Sequence, residues 1–261
     1  MIVSHKHQYL FIEVPFTGST AISKALRNDY DGEEVQFSRD HKHSNYSEWR
    51  RVARGREKKY FVFATVRNPL DLAVTDYMRL KNDHPGQFED AATTETNLAK
   101  HGGWITEEHL ERYNFIKDTD ADFPTYFLRY YKSVYHNWYL MGHPDFGYVL
   151  RYEHLNDDFQ EVLRRLSIPS IGPLPVVNKT MRKVSFHEYY TPETWERVSI
   201  VFGPFMKQWG YTFPDTWDVQ QPRPMKKFQY FLLNFAVNKA ARLVKLDPHI
   251  NTLKRVKRLV N

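Results

Sequence analysis

Three short stretches of the 261-residue chain carry side chains suited to holding an anion and moving a proton. The first is Pro15-Phe16-Thr17-Gly18-Ser19-Thr20, set between an apolar run and a helical pattern. Gly18 lets the backbone approach an anion. The amides of Gly18 to Thr20 stand at the helix start, Ser19 and Thr20 add hydroxyls, and the helix dipole adds partial positive charge. An ordinary capped strand-to-helix turn has the same look. No Gly-Lys-Ser/Thr follows, so this is not a Walker A loop, which counts against an ATPase or kinase. The second stretch centres on Arg67, whose planar fork suits phosphate oxygens. Its competing partners are Asp71 and Asp76. The third is Asp40-His41-Lys42-His43, where a neutral histidine can take a proton near pH 7. Exposed loop histidines and a zinc pair are the alternatives. No His-Glu-x-x-His or other ligand set supports a metal, and none is expected. Glu13 and Glu48 are weaker candidates for a base.

The elements that must position these residues follow from apolar patterning. Tyr9 to Val14, Tyr60 to Val66 and Phe146 to Tyr152 read as buried strands. The first runs through the turn into a helix over Ala21 to Asp29, with Ile22, Ala25 and Leu26 on one face. Pro69 fits the first position of a helix continuing to about Leu80. Asp157 to Ser167 is helical, with Phe159, Val162, Leu163 and Leu166 inward. Thr191 and Pro192 open a further helix that ends near Phe202, before Gly203-Pro204. Strands alternating with helices predict a P-loop-like parallel sheet flanked by helices, with ligands at the strands' carboxyl ends. Residues 81–118 read as a polar insertion that shapes an acceptor pocket.

The chain has no cysteine, which excludes disulfides, a thiolate nucleophile and cysteine zinc sites. The N-terminus shows no apolar signal core, and no stretch of the tail is long enough to span a bilayer. A cytoplasmic protein is expected. The net charge of +6 is unevenly spread. From Arg223 onward ten Lys or Arg face the single Asp247, a charge of +9, which leaves −3 for the first 222 residues. The expected division is an α/β domain over 1–222 and a basic amphipathic helical tail over 223–261. In the tail Phe228, Phe231, Leu232 and Phe235 share one face. Such a helix can lie on an anionic membrane, but the expected arrangement is packing on the body with solvated charges. A slightly acidic body without a recognised module speaks against a nucleic-acid partner.

Val14 to Ala21 resembles the 5′-phosphosulfate loop of PAPS-dependent sulfotransferases, nearest the carbohydrate-type branch and its bacterial relatives. That family usually reads Pro-Lys-Thr-Gly-(Ser/Gly)-Thr-Ser, so Phe16 stands where it carries lysine. The resemblance implies that Phe16, Thr17, Gly18, Ser19, Thr20 and Ala21 surround the phosphosulfate. It also implies that Arg67 and Thr75, eight residues on, hold the 3′-phosphate. The family lysine stabilises charge on the leaving oxygen, and losing one such donor costs about 3–4 kcal/mol of transition-state stabilisation. Lys179 is the preferred substitute and Lys24 the weaker one. Lys179, Thr180 and Arg182 match the family's late loop over the cofactor. His41-Lys42-His43 with Trp49 resembles the His-x-His element of uronosyl 2-O-sulfotransferases, implying His43 as base and His41 as a substrate or orienting contact. The resemblance covers about residues 8–213. It implies sulfuryl transfer from PAPS, with PAP as product, to a hydroxyl of a carbohydrate or small metabolite. The alternatives are a catalytically impaired PAPS- or PAP-binding protein and, behind it, a nucleotide or metabolite kinase.

Overall fold

The computed structural model describes residues 1–37, 43–84, 86, 88, 90–99, 107–175, 184–219 and 224–243. Packing separates the chain into two units. One comprises Met1–Arg67, Asn137–Met181 and Leu232–Asn261, the other Asn68–His136 and Arg182–Phe231.

The first unit holds the sheet. Its strands are β1 (Ile2–Ser4), β2 (Tyr9–Ile12), β3 (Glu33–Glu34), β4 (Phe61–Val66) and β5 (Tyr148–Arg151), in the order β3-β1-β2-β4-β5. The three strands legible in the sequence, β2, β4 and β5, are parallel neighbours, pairing Ile12 with Ala64 and Val66 with Arg151. β1 runs antiparallel to β2 and to β3. The sheet is therefore mixed, a parallel core with an antiparallel edge. The link from Ser4 to Tyr9 is too short for a parallel crossover, which needs a dozen or more residues, so β1 and β2 must form a hairpin.

The helices in chain order are α1 (Ser19–Asp29), α2 (Tyr46–Val52), α3 (Pro69–Lys81), α4 (Ala91–Ala99) and α5 (Glu107–Thr119). They continue with α6 (Phe123–Tyr130), α7 (Leu155–Arg165), α8 (Pro192–Trp209) and α9 (Pro224–Leu243). In the first unit Tyr9, Phe11, Phe63 and Leu150 pack against Ile22, Ala25 and Leu26 of α1 and Phe159, Val162 and Leu163 of α7. Leu10, Ile12, Val62 and Ala64, which alternate with them, are buried as well. Burial of both faces is why these strands read as unbroken apolar runs.

The second unit is helical and strongly aromatic. Phe123, Tyr126 and Phe127 of α6 meet Tyr190 and Phe202 in one cluster. Beside it Arg112 of α5 lies 3.5 Å from Asp76 and 2.6 Å from Glu108, and Tyr126 donates to Asp76 at 2.9 Å. Asp76 is thus held within this unit by Arg112 and Tyr126. α3 starts at Pro69 as expected, and the Asn68 side chain accepts from the Leu70 amide at 3.0 Å.

Two expectations need correction here. Residues 81–118 contain α4 and most of α5, hidden by their polar composition. α8 does not stop before Gly203-Pro204 but continues to Trp209 with Pro204 inside it. An interior proline costs a helix about 3 kcal/mol. Val201, Phe202, Phe205 and Met206 around it are all buried, and a buried side chain of that size contributes roughly 1.5–3 kcal/mol. Burial outweighs the lost backbone bond. Thr191 occupies the cap position of α8, but its hydroxyl makes no cap bond and is buried without a partner.

Candidate functional site

Because β2, β4 and β5 are adjacent and parallel, the residues that follow them emerge at one end of the sheet. After β2 the chain makes a turn in which two residues adopt left-handed backbone, Phe16 at φ +62° and Gly18 at φ +75°. A bulky side chain in that region is uncommon, because Cβ crowds the following carbonyl, at roughly 1–2 kcal/mol. Left-handed residues in a tight turn swing successive amides toward one side, the concave arrangement that binds anions. Gly18 is also the N-cap residue of α1. The first amides of a helix have no carbonyl one turn back, and they carry the positive end of the dipole. Ser19, the first residue of α1, is buried. The amide of Ala21 donates back to the Gly18 carbonyl at 3.0 Å, so Ala21 closes the turn.

Glycine at position 18 is required by space as well as by φ. A Cβ there would lie 2.6 Å from Cδ2 of Leu155 and 3.2 Å from Cδ2 of Tyr152. Tyr152 directly follows β5. Its ring also receives the guanidinium of Arg67, 4.2 Å from the ring centre. Arg67, directly after β4 and only 3% exposed, donates through Nη1 to the carbonyl of Phe16 at 2.8 Å. The ends of all three parallel strands therefore converge on Arg67, a cation in contact with the turn after β2.

Thr17 is turned inward. Its hydroxyl donates to the Val14 carbonyl at 2.8 Å and shares a short hydrogen bond with the hydroxyl of Thr65 on β4. It ties the loop to the neighbouring strand, and only its backbone is available to an anion. Thr20 is half-buried on α1, and Lys24, one turn further, is exposed. Thr75 is buried on α3 in the second unit.

His43 is half-buried, with Nδ1 2.7 Å from the backbone carbonyl of Glu13 and its ring edge-on to Tyr139, centres 6.0 Å apart. A carbonyl only accepts, so Nδ1 carries the proton of that bond, and in the neutral ring Nε2 holds the lone pair. Burial raises the pKa of Tyr139 to about 12, helped by the charge of Glu48. Tyr139 thus stays a neutral wall for the histidine across the physiological range.

The weaker base candidates are occupied otherwise. Both oxygens of the buried Glu13 carboxylate are taken, one by the nitrogen of Met1 at 3.0 Å and one by the hydroxyl of Ser23. Glu48 accepts from the Asn45 amide at 2.6 Å and completes the capping box of α2. His41, Lys179, Thr180 and Arg182 lie outside the described residues. Sequence reasoning missed Tyr152, Leu155, Thr65 and Tyr139. Tyr152 had a signal, since it is the first residue beyond the third parallel strand, where ligands of such sheets are met.

Against known proteins, a sequence model described as the sulfotransferase family matches residues 1–201. No curated protein and no solved structure matches the chain.

The tie between Thr17 and β4 yields a measurable stability effect. Thr17→Val keeps the shape but leaves the Val14 carbonyl and the Thr65 hydroxyl unpaired. Urea denaturation is expected to show a loss of about 2 kcal/mol. A change below about 0.5 kcal/mol would mean that the hydroxyl does not anchor the loop.

Proposed function

The chain belongs to the sulfotransferase family, and from that premise we propose that it uses PAPS as donor and transfers the sulfuryl group to a hydroxyl of a carbohydrate or small metabolite. The observation that carries this reading is the left-handed turn at Phe16 and Gly18, clamped by Arg67 at the ends of three parallel strands. The residues present suit a phosphorylated nucleotide: a turn with left-handed residues at Phe16 and Gly18, a helix start and a buried guanidinium.

In this reading the turn from Phe16 to Thr20 takes the 5′-phosphosulfate through backbone amides. Arg67 and, on the resemblance alone, Thr75 take the 3′-phosphate. PAPS, when bound, supplies the sulfuryl group, with PAP as the departing product. His43, its Nδ1 proton fixed by the Glu13 carbonyl, accepts the acceptor's hydroxyl proton at Nε2. His41 contacts or orients the acceptor. On the resemblance alone, Lys179, Thr180 and Arg182 belong to the late loop over the cofactor, with Lys179 the substitute for the family's lysine and Lys24 the weaker one. A cytoplasmic setting and the absence of a nucleic-acid partner belong to the same proposal.

The phenylalanine at position 16 favours a second reading, a catalytically impaired PAPS- or PAP-binding protein. The two readings part on Phe16→Lys. If wild type already turns over and the variant changes the rate by less than about tenfold, another cation already serves in the lysine's place. A gain of about a hundredfold or more from an idle wild type marks the impaired protein.

Two substitutions test the division of roles. Arg67→Ala should weaken PAP binding in calorimetry by about thirtyfold, the loss of a charge-assisted contact of about 2 kcal/mol. Unchanged affinity, or wild type that does not bind PAP, would sink the donor assignment. His43→Ala should keep PAP affinity within about twofold while lowering kcat by roughly a hundredfold to ten-thousandfold. Retained turnover would remove His43 as the base.

A further inference from the structure

Large apolar side chains exposed to solvent are concentrated on one helix. Among the described residues they are Val52, Ile171 and Val184, each isolated, and five within α9: Met225, Phe228, Phe231, Leu232 and Phe235. These five are 64%, 55%, 62%, 42% and 57% exposed. At 3.6 residues per turn, positions 225, 228, 231, 232 and 235 fall in a stripe along one side. The opposite side is also apolar, and it is this side that is covered. Tyr230, Leu233 and Val237 are buried, Leu233 and Val237 against Met141. The Asn238 side chain accepts from the Gly142 amide at 2.7 Å on the same footing. The helix is therefore apolar on two sides and docked by one. The stripe legible in the sequence is not the face that packs on the body.

Isolated exposed apolar residues need no explanation, but a contiguous stripe with three phenylalanines marks an interaction surface. Charge selects the partner. Lys226 and Lys227 stand at the start of the helix, and Lys239 lies over the Phe235 ring at 5.7 Å, on the side of the stripe. Arg242, Lys245, Lys254, Arg255, Lys257 and Arg258 follow in the sequence, and the segment from Arg223 carries +9 against −3 for the rest. A second copy seated on the stripe would bring two such segments together. The chain's own continuation beyond α9 carries the same sign of charge. No helix among the described residues is long and apolar enough to cross a membrane. An apolar stripe with basic flanks fits a surface that is itself apolar beneath anionic groups.

We propose that α9 lies in the plane of an anionic lipid bilayer, with Phe228, Phe231 and Phe235 at the boundary between headgroups and acyl chains. Lys226, Lys227 and Lys239 meet the lipid phosphates. This goes beyond the sulfotransferase reading and does not rest on it.

The full chain is to be sedimented with vesicles of phosphatidylcholine, alone or mixed with phosphatidylglycerol. Partitioning should be at least about tenfold stronger on the mixed vesicles and fall steeply with added salt. The double variant Phe228→Ser, Phe231→Ser should lose about tenfold or more of it, with melting temperature unchanged. Equal binding to both vesicle types, or a double variant that binds like wild type, would overturn the proposal. So would a lipid-free dimer in wild type that the double variant makes monomeric, since a second copy would then cover the stripe. The chain lacks cysteine, so Phe228→Cys accepts a single environment-sensitive dye. Its emission should shift to the blue with the mixed vesicles, and an unshifted spectrum would contradict the assignment even if the double variant failed to fold.

Discussion

Taking a guanidinium out of water is costly unless its donors and its flat faces are satisfied. At Arg67 the structure that it organises supplies one of each: Nη1 donates to the Phe16 carbonyl, and the Tyr152 ring lies against the cation. The bond holds a turn that would otherwise relax, because Phe16 occupies a backbone region that its side chain disfavours. The ring ties the same cation to the third strand. Tyr152 and Leu155 in turn leave no room for a side chain at position 18. Each piece of the site thus limits the freedom of the next, and all of it depends on three parallel strands ending at the same level.

The second layer of support is polar and buried. Thr17 is bonded to Val14 and Thr65, and Glu13 to Ser23 and the nitrogen of Met1. The backbone carbonyl of Glu13 also receives His43. His43 and the turn from Phe16 to Thr20 are therefore attached to the same few residues after β2. A carboxylate that sequence alone offers as a base has a structural task, and its carbonyl, to which no side-chain pattern points, sets the tautomer of the histidine.

Much of this was legible in the sequence where local chemistry decides the outcome. Tyr9 to Ile12 and Val62 to Ala64 are apolar throughout because both of their faces are buried. Pro69 with Asn68 announces the start of α3, and Gly18 announces the turn. Elsewhere tertiary burial decides. β3 is the pair Glu33–Glu34, with no apolar signal at all, and exists because β1 offers it an edge. Pro204 is tolerated because the residues around it are buried. Tyr152 closes the third apolar run of the sequence, but its contact with Arg67 follows from the pairing of β4 with β5. Periodicity found the apolar stripe of α9, but a helix with two apolar sides does not say which one docks.

The central claim is that the turn from Phe16 to Thr20 presents its amides to an anion. Two-dimensional 1H–15N NMR of the labelled protein, titrated with PAP, reports on each amide directly. The account predicts that the amides of Gly18, Ser19 and Thr20 show the largest saturable shifts, downfield as expected for new hydrogen bonds to phosphate oxygens. Saturable binding that leaves these three amides unmoved would contradict it.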